Sequence, residues 1–110
     1  MRRYHHIGIP TTLQHGDETY LEAHRLFCTD DERNEFGIQW MRYEPECTLP
    51  EVVKTIPHVA FEVDDLESAL VGHQVLIAPN SPSKGVVVAF VLVDGAPVEF
   101  LQLVGERRAG

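Results

Sequence analysis

Basic residues, cysteines and long apolar runs are all scarce in this chain, and each scarcity removes a class of function. Lys and Arg total 9 against 17 Asp and Glu, giving a net charge of −8. Such a surface repels polyphosphate backbones and anionic lipid, so neither nucleic acid nor a membrane is an expected partner. No apolar run approaches the ~20 residues that a helical span requires. The opening Met-Arg-Arg-Tyr-His-His also lacks the apolar core of a signal peptide, so a cytoplasmic location is expected. Two cysteines, Cys28 and Cys47, are too few for a disulfide framework and fit no zinc-finger spacing. They read as reduced structural thiols, because neither sits in a nucleophile signature.

What is present is an ordinary globular composition, 44% apolar and 24% charged over 110 residues. That length suits one domain, residues 1–110. Tyr4–Ile9 reads as a strand closed by Pro10, which lacks a backbone donor. Asp17 could cap a helical turn near Asp17–Leu21, with Tyr20, Ala23 and Phe27 at helical spacing. A strand near His24–Thr29 would follow, with a continuous helix as the alternative. Thr29–Glu35 is charged and aperiodic, a solvated connection. Phe36–Tyr43 is aromatic and β-branched, hence a strand. Residues Glu46–Lys54 connect two halves.

The second half carries sharper signals. His58–Val63 is a strand, and Asp64 with Glu67 has the form of a capping box opening a helix to about Leu70–Gly72. Gln74–Ala78 is a short strand, Pro79–Pro82 a loop, and Val86–Val93 a strand apolar on both faces and so buried. Asp94-Gly95 is a hairpin signal, since both residues tolerate positive φ, and Pro97–Val104 returns as the last strand. The tail from Gly105 is polar. A weak internal repeat sets Tyr4–Ile9 against Ile56–Phe61, with a His before a short apolar run in each.

Three strand residues are chemically out of place: His6, His58 and Glu99. By strand parity Glu99 shares a face with Leu101 and Leu103, while Val98, Phe100 and Gln102 take the other. A carboxylate on an apolar side needs a cation, a hydrogen-bond partner or solvent. Two imidazoles and a carboxylate form a common ligand set for Zn, Ni, Co, Mn or Fe(II). His6 alone reads as a hydrogen-bonded strand histidine before a ligand, and only its company with His58 and Glu99 turns the reading toward metal. His5, by parity, points to the opposite face. His15, His24 and His73 fall in turns or polar stretches where exposure is the default. Trp40, Met41, Phe61, Phe90 and Phe100 are candidates for core packing or for a pocket wall.

The segment His-Val-Ala-Phe-Glu-Val-Asp-Asp-Leu-Glu-Ser-Ala-Leu, then Val-Ala-Phe-Val-Leu-Val-Asp-Gly-Ala-Pro-Val-Glu-Phe-Leu-Gln-Leu, resembles the vicinal oxygen chelate superfamily. That group contains glyoxalase I, methylmalonyl-CoA epimerase, extradiol dioxygenases and bleomycin-resistance proteins. With the opening His-His-Ile-Gly-Ile the resemblance covers roughly half of the chain. It implies an α+β fold in which paired βαβββ modules, about residues 4–45 and 56–104, form an open, cupped mixed sheet. The first module, shorter than the second, would have lost its helix or a strand. The resemblance further implies a divalent metal held by His6, His58 and Glu99, with Gln39 as fourth ligand and Glu44 as its alternative.

The function so implied is a metal-dependent lyase or isomerase acting on a small oxygen-chelating substrate through an enolate-like intermediate, with Glu99 also a proton acceptor. A non-enzymatic, metal-free, resistance-type binding dimer is the alternative. Either form is expected to be a homodimer binding a small molecule. The acidic balance disfavours a highly anionic substrate unless Arg42, Lys54 or Lys84 supplies a basic patch.

Overall fold

The computed structural model describes residues 2–104, so the tail from Gly105 lies outside the described residues. They form one mixed eight-stranded sheet with two short helices, an α+β architecture. The strands are β1 (Arg2–Pro10), β2 (Thr19–Leu21), β3 (Leu26–Cys28), β4 (Ile38–Tyr43), β5 (His58–Val63), β6 (Gln74–Ser83), β7 (Val86–Val93) and β8 (Ala96–Leu103). Helix α1 (Glu51–Thr55) joins β4 to β5, and α2 (Leu66–Leu70) joins β5 to β6. Among the described residues, no helix is long and apolar enough to cross a membrane.

The sheet order is β2-β3-β4-β1-β5-β8-β7-β6. β1 runs parallel to β4 and β5 parallel to β8, while β1 and β5 meet antiparallel at the centre. One pairing scheme therefore occurs on both sides of that seam. In the first half Gly8, two residues beyond His6, pairs with Gln39. In the second, Ala60, two residues beyond His58, pairs with Glu99.

The sheet curls until its edges face a common space, since Thr19 and Leu21 of β2 and Ile77 and Asn80 of β6 line one cavity. Strand alternation then divides the side chains. Gln39, Met41 and Tyr43 of β4 and Glu99, Leu101 and Leu103 of β8 line the concave side. On the other face Phe100, Ala89, Val91 and Val63 pack with Leu66 of α2 into an apolar core, flanked by Phe61, Ala69 and Leu70.

Several local expectations need correction. The Asp17–Leu21 turn is not helical: Tyr20 and Phe27 do meet, with ring centroids 4.6 Å apart, but as a cross-strand pair of the β2–β3 hairpin. Arg25, at φ 56, turns that hairpin. The connection after Pro50 contains α1, whose Val53 is fully buried. Strand β6 runs on through Pro79 and Pro82, because both fall where its pairing with β7 shifts register. An edge strand with bulges tolerates the missing N–H groups. The Asp64–Glu67 capping box does not form. Asp65 is the N-cap, without a side-chain cap bond, and the Leu66 N–H donates instead to Gln102 Oε1 at 2.8 Å. The Asp94-Gly95 hairpin is as read, with φ of 50 and 85.

Candidate metal centre

His6, His58 and Glu99 sit on the three central strands β1, β5 and β8. His6 pairs with Ala60, and Ala60 with Glu99, so the histidine and the carboxylate share a row across the sheet with only a methyl group between them. His58 opens β5 two residues earlier, on the same face. His6 Nε2 lies 3.3 Å and His58 Nε2 3.1 Å from Glu99 Oε1. All three residues are buried, at 6%, 2% and 8% exposure.

These contacts are close without being hydrogen bonds in direction. His6 Nε2 and both ring nitrogens of His58 are buried with no hydrogen-bond partner. Burying polar atoms unpaired costs free energy, and here the ligand atoms of three residues converge within 4.8 Å. A divalent cation fits that donor set and would satisfy His6 Nε2 and one ring nitrogen of His58. Burial alone would push the Glu99 carboxyl up, but the His58 and His6 imidazoles outweigh it and hold it down to about 2. The group is therefore anionic throughout the neutral range, as a ligand should be.

Two neighbours make the convergence possible. A Cβ at Gly8 would fall 2.2 Å from His58 Cε1 and 2.6 Å from Nε2. The imidazole thus lies across the β1 backbone where only glycine leaves room. His5 is the second. Parity places it on the far face, but the β1–β5 register slips between Tyr4 and His6, and this bulge turns His5 to the cavity side. Its Nδ1 is 2.8 Å from His6 Nδ1 and 3.8 Å from Asp31 Oδ2. If His6 Nε2 presents its lone pair, His6 Nδ1 carries the proton and donates it to His5.

Gln39 lines the same cavity, whereas Glu44 does not, its carboxylate accepting from the Tyr20 hydroxyl at 2.6 Å. Met41 and Phe90 also line it, but Trp40, Phe61 and Phe100 do not. His24 is a wall residue too, and His15 stacks on Trp40 with centroids 5.3 Å apart, so neither is simply solvated. Both cysteines are free and buried. Burial, reinforced by Asp31 and Asp30, pushes the Cys28 thiol up to about 11, which makes it a poor nucleophile.

The cavity measures about 510 Å³, and no Lys or Arg among the described residues lines it. Arg42, Lys54 and Lys84 therefore supply no basic patch there. Arg42 clamps Glu18 at 2.6 and 2.9 Å on the opposite face, and Lys54 Nζ donates to the Cys47 carbonyl at 3.0 Å.

No family model matches the chain, and no curated protein matches it either. Among solved structures it is similar to a hypothetical protein, BH1468 from Bacillus halodurans C-125, with a TM-score of 0.65 and 17% identity over 96% of each chain. That likeness concerns the fold.

Proposed function

We propose that the chain is a small metal-binding protein of the vicinal oxygen chelate type, in which His6, His58 and Glu99 hold a divalent cation and Gln39 is the fourth ligand. The observation that carries this reading is the set of buried, unpaired imidazole nitrogens around one carboxylate. The repeated pairing scheme supports it: His6, Gly8 and Gln39 in the first half correspond to His58, Ala60 and Glu99 in the second. Gln39 is thus the counterpart of Glu99, as expected of a duplicated βαβββ module whose first copy has no helix between its first two strands.

A bound cation supplies Lewis acidity toward the oxygens of a small substrate, the basis of lyase or isomerase chemistry. The protein's own groups do the rest. His5 fixes the tautomer of His6, the curled sheet surrounds the centre with largely apolar walls, and Glu99 alternates between anionic ligand and proton acceptor. The exposed edges of β2 and β6 favour association with a second copy, and a cytoplasmic location belongs to the same reading. A metal-free binding dimer would use the cavity but would leave the orphaned nitrogens without a role.

Titration of wild-type protein with Zn, Ni, Co, Mn and Fe(II), read by calorimetry, tests the proposal. One site per chain is expected, abolished in His58→Ala and Glu99→Ala and weakened about 10–100-fold in His5→Ala, as for other partners of metal-bound histidines. Wild-type protein that binds none of the five overturns it.

A further inference from the structure

The proposed centre uses one side of the His6 ring, its Nε2. The other ring nitrogen faces a second set of donors, since His5, His6 and Asp31 each offer a ligand atom within 4.8 Å of the other two. The β1 bulge brings His5 to this place, and a short 3-10 turn, Asp31–Arg33, brings Asp31. The turn is fixed by the Asp30 carboxylate, which accepts from the Glu32 N–H at 2.9 Å. Both His5 and Asp31 line the cavity, and their side chains are 31% and 18% exposed, so the group opens to solvent.

A hydrogen bond between the two imidazoles accounts for only part of this arrangement. It places one proton between His5 Nδ1 and His6 Nδ1, 2.8 Å apart, while Asp31 Oδ2 stands 3.8 Å from His5 Nδ1, too far to accept from it. The spans point to a metal. With bonds of about 2.0 Å, donors at right angles around one ion lie ~2.8 Å apart and opposed donors ~4.0 Å, whereas every pair in a tetrahedron lies ~3.3 Å apart. His5 to His6 matches the right-angled span, and His5 to Asp31 approaches the opposed one. At the proposed centre, by contrast, Glu99 stands 3.3 and 3.1 Å from its two imidazoles, close to the tetrahedral value. A tetragonal set of two nitrogens and an oxygen suits Cu(II), which also heads the affinity order of the divalent first-row ions.

We infer that His5, His6 and Asp31 form a second cation site, suited to Cu(II), in which His6 ligates through Nδ1. A neutral imidazole has one lone pair, so a cation on Nδ1 leaves the His6 proton on Nε2, facing Glu99 Oε1 at 3.3 Å. The two sites therefore compete for His6, and this one stands whether or not the other holds a cation.

Removing the Glu99 carboxylate leaves the second site without a competitor. Cu(II) titrated into Glu99→Ala protein, followed by calorimetry and by electron paramagnetic resonance, should bind once per chain and give an axial signal split by two nitrogens. Asp31→Ala on that background should weaken binding at least tenfold. His5→Ala should do the same and remove one nitrogen from the splitting. Copper affinity unchanged by Asp31→Ala or His5→Ala, splitting by fewer than two nitrogens in the Glu99→Ala protein, or a signal of tetrahedral rather than axial type overturns the inference. Copper held at other histidines or at the amino terminus would give the first of these results. If Glu99→Ala fails to fold, His58→Ala, which also dismantles the other set, takes its place. Failure of wild-type protein to bind any of Zn, Ni, Co, Mn and Fe(II) strikes the metal-centre reading instead, and the copper titration still decides this one.

Discussion

Arg42 and Gln102 stand at matching places in the two halves of the sheet, and each holds down the segment that covers its half. Gln102 receives the Leu66 N–H at the start of α2, whose Leu66, Ala69 and Leu70 extend the apolar core around Phe100. Arg42 instead grips Glu18 with two hydrogen bonds and lies over the Phe27 ring, 4.2 Å from its centroid. Next to it Trp40, the counterpart of Phe100, is covered by the His15 ring. One half is backed by a helix and a dry core. The other is backed by a loop held through charge and ring stacking. The same strand scheme thus accepts either cover, provided the concave face, where His6, His58 and Glu99 converge, keeps its geometry.

The sharpest way to break this correspondence is at Gly8, whose second-half counterpart Ala60 carries its methyl group fully buried. Gly8→Ala drives a Cβ into the His58 ring. Calorimetry should then record loss of the cation site, at least a hundredfold, together with a lower melting temperature. A Gly8→Ala protein that binds metal like wild type would mean that the ring has another place to go. Next in size are the paired truncations. Phe100→Ala should cost about 3–5 kcal/mol in urea unfolding, as for large buried aromatics. Trp40→Ala, though it removes a larger ring, should cost less, since it is only half-buried beneath a loop.

The smallest effect is expected at the charged clamp. The Arg42 hydrogen bonds hold the Glu18 carboxyl down to about 2, against an ordinary 4.5. A depressed carboxylate contributes stability that is complete above the unfolded-state value and is lost as pH falls through the folded one. The difference in melting temperature between wild type and Glu18→Gln should therefore be full at pH 7, shrink below about 4.5 and vanish near 2. Phe100→Ala measured alongside should keep its penalty across that window. A Glu18→Gln difference insensitive to pH would sink the clamp as an ionic device.

The face of Glu99 was legible from strand parity, since it lies with Leu101 and Leu103 on the cavity side, and the burial of the middle of β7 from its run of apolar residues, whereas the meeting of His6, His58 and Glu99 was expected from the family resemblance and not from any spacing. The Asp94-Gly95 turn was legible from backbone conformation alone. What escaped the sequence are departures from regular period. A one-residue bulge moved His5 from the far face to the side of His6, and no residue type signals that slip. Pro79 and Pro82 read as loop because the bulges that absorb them arise from pairing with β7. Tyr20 and Phe27 sit at a spacing that a helix and a tight hairpin both bring into contact. Gly8 was visible in the motif, but its purpose depends on a ring 50 residues further along the chain.

The antiparallel join of β1 to β5 also bears on when the centre can exist during folding. His6 comes from one half, while His58 and Glu99 come from the other, and β8 reaches its place beside β5 only after a long parallel crossover. Such distant pairings close late, because loop entropy is lost before their contacts form. Neither half alone holds the complete triad, so a cation cannot template the first collapse of the chain. On the proposed reading a cation would act as a latch on the finished sheet, and its binding free energy would add to the unfolding of the whole domain.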